Sequence, residues 1–83
     1  MAVSYDEVLM RLHRHLQQFA GDKIKPDEDT DLIEGLGLDS NRVLDLIMEV
    51  EDEFDISIPM NLLVDVHTVG DLARKIHELG PAD

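Results

Sequence analysis

The chain has 83 residues, with 19 Asp and Glu against 7 Lys and Arg and no cysteine. A net charge of −12 argues against nucleic acid and anionic membranes as partners and favours proteins with basic patches. The missing cysteine excludes disulfides and thiolate metal sites, so thioester chemistry would need a thiol from a cofactor. A domain this short buries only about 60% of its unfolded surface, which leaves little room for both a core and a deep catalytic cleft. A binding or carrier module is therefore expected over an enzyme. Hydrophobic content of 43% is that of a folded domain, and the self-repulsion predicts a salt-sensitive one.

The opening stretch MAVSYDEVLMRLHRHL is interrupted by charges and does not read as a signal peptide. No apolar run approaches the roughly 20 residues of a membrane span. A soluble cytoplasmic protein is the expectation. A first helix is predicted over 4–20, opened by Ser4 with Glu7 at capping-box spacing. Tyr5, Val8, Leu9, Leu12, Leu16 and Phe19 recur on it at helical spacing, and Gly21 ends it. Residues 21–39 read as a long loop broken by Pro26, Gly35 and Gly37, which Leu32, Ile33, Leu36 and Leu38 would pin to the core.

A second helix is predicted over 40–54. Val43, Ile47, Val50 and Phe54 form its core stripe, with Asp45, Glu49, Asp52 and Glu53 roughly opposite and Leu44 and Met48 between. Ile56 and Ile58 alternate like a strand but have no partner strand, so they read as a loop with buried isoleucines. A short helix over 60–65 and a last helix over 68–79 complete the chain. Thr68 and Asp71 have cap spacing, and Val69, Leu72, Ala73, Ile76 and Leu79 make the final apolar stripe, closed by Gly80 and Pro81. The predicted fold is all-α: one domain, a small four-helix bundle of three longer amphipathic helices and one short one.

Of the three serines, Ser40 alone follows a glycine-containing loop and opens a helix. A helix N-terminus offers free N–H groups and a positive dipole end, a favourable field for a phosphodiester on that hydroxyl. Taken locally, Asp39 or Ser40 reads first as a plain N-cap, since cap serines are abundant. No general base is recognisable beside Ser40 and no GxSxG elbow surrounds it, so it is not a hydrolase nucleophile.

The wider context is more specific. Gly35-Leu36-Gly37-Leu38-Asp39-Ser40, then Val43 through Asp55 and Ile56-Ser57-Ile58-Pro59, resembles the phosphopantetheine attachment region of acyl carrier proteins. His67-Thr68-Val69-Gly70-Asp71-Leu72 resembles the family's approach to its final helix. The resemblance covers nearly the whole chain. It implies that a phosphopantetheinyl transferase moves 4'-phosphopantetheine from coenzyme A to Ser40, with Asp39 helping to position that enzyme's magnesium. It further implies a monomeric carrier, not an enzyme, whose acyl chain shelters among core residues. One departure stands out: Asn41 follows the serine where the family usually has leucine, and Arg42 comes next, where an acidic or polar residue is common. That change bears on partner choice, and it favours a dedicated biosynthetic pathway over housekeeping fatty acid synthesis.

Between Asp27 and Asp55 there are 12 acidic residues and one basic residue, Arg42. Like charges at i,i+4, such as Asp45 and Glu49, cost a helix some stability, which suggests a binding role. The resemblance makes this helix the docking surface for acyl-transferring or condensing enzymes with basic patches. Asp45, Glu49, Asp52 and Glu53 would meet Lys and Arg, and Leu44 and Met48 would supply apolar contact. Asp27, Asp29 and Asp31 mimic the start of a calcium loop, but Leu32 and Leu38 stand where glycine and glutamate are needed. His13 and His15 are two apart and point to different helix faces, so no zinc pair forms. All four histidines read as surface or cap residues. The functional expectation is an acyl carrier for fatty acid, polyketide or specialised lipid synthesis. The alternatives are a stand-alone aminoacyl or peptidyl carrier, or an unmodified acidic adaptor for a basic partner.

Overall fold

A computed structural model describes residues 3–21 and 27–80; the breaks expected at Pro26 and Pro81 lie outside these residues. Four helices follow in chain order: α1 (Tyr5–Ala20), α2 (Ser40–Phe54), α3 (Met60–Leu63) and α4 (Val69–Glu78). Among the described residues there is no strand, only an isolated bridge between Asp31 and Thr68. No described helix is long and apolar enough to cross a membrane.

The three longer helices start where side chains satisfy their free N–H groups, whereas the short α3 follows Pro59 with no side-chain cap. Ser4 accepts from the Glu7 backbone N–H at 3.2 Å. At α4 the box is reciprocal: Thr68 Oγ1 accepts from Asp71 N–H at 3.1 Å, and Asp71 Oδ2 accepts from Thr68 N–H at 3.2 Å. Asp55 closes α2 in the left-handed region at φ 53°, a conformation short polar residues tolerate. Helix α3 ends at Leu63, earlier than the predicted 65.

Helix α1 packs against both α4 and α2. The core takes Val8, Leu12 and Leu16 from α1, Leu46, Ile47, Val50 and Phe54 from α2, and Val69, Leu72, Ala73 and Ile76 from α4. Three expectations change. Leu46, which falls off the predicted stripe, is fully buried, while Val43 is only partly so. Leu79, assigned to the α4 stripe, is exposed. Of the four residues that the sequence assigns to pinning the long loop, Leu32, Leu36 and Leu38 are buried, and Ile33 faces outward with about half its surface exposed. Of the two isoleucines before Pro59, Ile58 is buried and Ile56 partly buried. Ile58 N–H donates to the Glu51 carboxylate at 2.8 Å, so this segment is satisfied without a strand.

The long loop is tied down by backbone bonds to the start of α4. Leu32 N–H donates to His67 O at 2.9 Å, Val69 N–H to Thr30 O at 3.0 Å, and Gly70 N–H to Glu28 O at 2.8 Å. Gly70 lets these two segments approach: a Cβ there would stand 2.9 Å from Glu28 O and 3.2 Å from Glu28 Cβ. Alanine gains about 1 kcal/mol of helix propensity over glycine, but overpacking against a bonded carbonyl costs roughly 1–3 kcal/mol. Gly70→Ala is therefore expected to lower stability, by up to about 2 kcal/mol net, as read from urea melts. An unchanged or raised midpoint would show that the loop yields freely.

Candidate functional site

Ser40 is the first residue of α2, and Asp39 is its N-cap, with Asp39 Oδ1 accepting from Arg42 N–H at 2.8 Å. The two cap candidates are thus resolved. Asp39 does the capping, and the exposed Ser40 hydroxyl makes no hydrogen bond among the described residues. That hydroxyl sits at the positive end of a 15-residue helix.

Beside Ser40 opens a cavity of about 340 Å³ between the loop, α2 and α3. Its walls are Leu32, Ile33, Val43, Leu44, Ile47, Met60, Leu63, Val64 and Val66, and Ser40 is the one polar residue among them. Met60 and Val64 are about 70% exposed, at 71% and 68%. Sequence reasoning missed Ile33, Met60, Val64 and Val66 as site residues. The available signal was a set of large apolar residues around the short third helix that no core stripe claimed.

The acidic side of α2 faces elsewhere. Arg42, Asp45, Met48, Glu49 and Asp52, with Phe19 of α1, line an open groove of about 600 Å³. Met48 is 65% and Leu44 42% exposed, so neither is spent on the core. Asp45 and Asp52 are exposed, and among the described residues no basic side chain pairs with them. Glu53 differs: its carboxylate is held by Arg11 at 2.6 Å and by His15 Nε2 at 3.0 Å, both from α1. Arg11 also lies over the Phe54 ring, 4.6 Å from its centroid. This clamp joins α1 to α2, and it corrects the view of His15 as a surface or cap residue, since only 14% of its side chain is exposed.

The His15 hydrogen bond first, and then the Arg11 hydrogen bonds, hold the Glu53 carboxyl below its ordinary value of 4.5. A depressed carboxylate contributes stability above its unfolded value and loses it as pH falls through the folded one. Asp31, bonded by the Glu34 and Ile33 N–H groups, and Asp71, bonded by His67 N–H, are lowered in the same direction. Stability is therefore expected to fall as pH drops below about 4.5, and Glu53→Gln should flatten part of that slope in melts taken from about pH 6 to pH 3. An identical slope in the variant would remove the clamp from the acid response.

Among the described residues no three His or acidic groups converge on a metal. Asp27 and Asp31 spend carboxylate oxygens on turns instead. Asp27 Oδ1 accepts from Asp29 N–H at 2.9 Å, and Asp31 Oδ1 accepts from the Ile33 and Glu34 N–H groups at 2.8 Å.

The sequence profile of the phosphopantetheine attachment site family matches residues 8–76. The Caulobacter vibrioides "Probable acyl carrier protein" is 50% identical over 44 residues, 53% of this chain and 51% of that protein, so the match spans about half its length. The acyl carrier protein of Phenylobacterium zucineum is 36% identical over 73 residues, covering 87% of this chain and 92% of its own. Among solved structures, a candidate acyl carrier protein from Mycobacterium tuberculosis superposes with a TM-score of 0.77 at 29% identity, covering 83% of this chain and 93% of that one. The acyl carrier protein of Enterococcus faecalis shares the fold, with a TM-score of 0.76 at 23% identity, covering 94% of this chain and all of that one.

Proposed function

Because this chain belongs to the phosphopantetheine-attachment family of acyl carrier proteins, we propose that Ser40 is its attachment residue and that its cargo is an acyl chain. The family assignment makes it a carrier that depends on 4'-phosphopantetheine, not an enzyme. One observation supports the position above others: Asp39 takes over the capping, which leaves the Ser40 hydroxyl without a hydrogen bond among the described residues, on an exposed residue at the positive end of α2. In the modification, the Ser40 Oγ forms a new bond to the β-phosphorus of coenzyme A. The phosphoanhydride bond breaks, 3',5'-ADP leaves, and the serine proton passes to a base of the transferase. Asp39 keeps its second oxygen for the transferase's magnesium. The bound arm supplies a thiol that holds the acyl group as a thioester.

The apolar cavity at Ser40 supports an acyl cargo over an aminoacyl one. Its lining buries methylenes and, Ser40 apart, carries no side chain to pair with an ammonium group. The pathway we favour is a dedicated fatty acid, polyketide or specialised lipid synthesis, served by a cytoplasmic, monomeric, single-domain carrier. The test is to incubate the chain with coenzyme A and a broad-specificity phosphopantetheinyl transferase and take the intact mass. A single phosphopantetheine addition is expected. No addition, under conditions that modify another carrier, would leave an unmodified acidic adaptor.

The exposed side of α2, with Leu44, Asp45, Met48, Glu49 and Asp52, is the proposed docking surface. Glu53 contributes less, because Arg11 and His15 already hold it. Rim charges act mainly on association rate. Reversing Asp45 and Asp52 together to Lys is expected to cut kcat/KM with a condensing enzyme roughly tenfold at low salt and to leave helical content unchanged. Unaltered kinetics would remove the docking role.

A further inference from the structure

Helix α2 carries a charge in the wrong place for its own stability. Its first turn has no acidic residue and holds Arg42, the sole basic residue between Asp27 and Asp55. A cation at a helix N-terminus opposes the dipole. Nor does Arg42 repay this with an internal ion pair, since among the described residues no carboxylate pairs with its guanidinium. The guanidinium carbon instead lies over the Phe19 ring of α1, 4.8 Å from its centroid, and Arg42 is exposed. The stack fixes a positive charge at the Ser40 end of the α1–α2 groove, while Asp45, Glu49 and Asp52 follow along the same groove.

Contact with the phosphodiester on Ser40 does not account for this charge. Two residues apart on a helix is about 200° of rotation, and the two side chains line different cavities. Ser40 borders the apolar one and Arg42 the acidic groove. A partner that reaches Ser40 and lies along α2 meets Arg42 first, then carboxylates beginning about 5 Å further along the axis and ending about 15 Å away.

We propose that the Arg42–Phe19 stack is a partner-selecting element: it fits an enzyme whose basic docking patch carries one carboxylate at the end nearest the active-site mouth, and it disfavours a patch that is basic throughout. The inference rests on the docking role proposed above for α2. Charge complementarity sets which patch fits, because a like charge placed opposite Arg42 is repelled while an opposite charge is drawn in.

The test uses the full chain, loaded with an acyl group, and as probe a condensing enzyme of housekeeping fatty acid synthesis with an all-basic patch. Arg42→Glu is expected to raise kcat/KM about three- to tenfold at low salt, mostly through KM, with the gain shrinking at roughly 0.5 M salt. A glutamate in the first turn suits the helix dipole, so folding is not at risk. Each basic residue of the probe's patch is then reversed to Glu in turn. One such enzyme should prefer the wild-type chain over Arg42→Glu, inverting the order. Phe19→Leu, which keeps the charge and frees the guanidinium, should weaken that discrimination. If Asp52→Lys is damaging but Arg42→Glu brings no gain, or no reversal inverts the preference, the selecting role is wrong and the docking surface stands. If neither Asp52→Lys nor Arg42→Glu changes the kinetics, the docking surface itself is wrong and this inference goes with it.

Discussion

Ser40→Ala is expected to take up no phosphopantetheine under conditions that modify the wild-type chain completely. In the proposed attachment the serine oxygen would become the bridging atom of the phosphodiester, and alanine offers nothing in its place, so the loss should be total. The fold should hardly notice. The cap bond belongs to Asp39 and survives, and alanine is the better helix former by a few tenths of a kcal/mol. Melting should stay within about 0.5 kcal/mol of wild type. Ser4→Ala and Ser57→Ala serve as controls that should be modified normally, although the first loses the cap that accepts from Glu7 N–H. Intact mass on the three variants decides the matter, and any addition to Ser40→Ala would place the arm elsewhere.

How far this was readable in advance depends on whether the deciding interaction is local. The bounds of α2 came from a cap residue and a 3.6-residue period, both of which act within a few positions, and they match the structure at Ser40 and Phe54. Leu46 was misplaced because a single stripe of about 100° describes a helix covered from one side. Here α1 packs against α2, while the loop and α3 meet it around the Ser40 cavity, and the buried arc widens. Ile33 was misplaced for a local reason that composition hides: the Asp31 carboxylate bonds the Ile33 and Glu34 N–H groups, and the tight turn sends Ile33 outward. The ties between the loop and α4 are backbone bonds across more than thirty residues of chain, and no side-chain pattern announces them. Glu53 looked like one more carboxylate on an acidic face. Its partners, Arg11 and His15, lie 42 and 38 residues away.

That same seam between α1 and α2 predicts the largest stability loss. Phe54 is fully buried, its ring is covered by the Arg11 guanidinium, and the neighbouring Glu53 holds Arg11 in place. Phe54→Ala should remove both the ring's burial and the surface on which Arg11 rests, at about 3–5 kcal/mol. A chain of 83 residues has a total stability of only roughly 4–12 kcal/mol at 0.05–0.15 kcal/mol per residue. The variant should therefore be largely unfolded or melt roughly 20 °C lower. Added salt should recover part of the loss, because the net charge of −12 favours the expanded chain and screening weakens that repulsion. Phe54→Leu keeps most of the volume and should cost well under half as much. Thermal melts of the two variants at low and high salt separate the terms. A melting point within a few degrees of wild type for Phe54→Ala would mean that the α1–α2 seam does not hold the bundle together, and the groove and the cavity on either side of α2 would need another support.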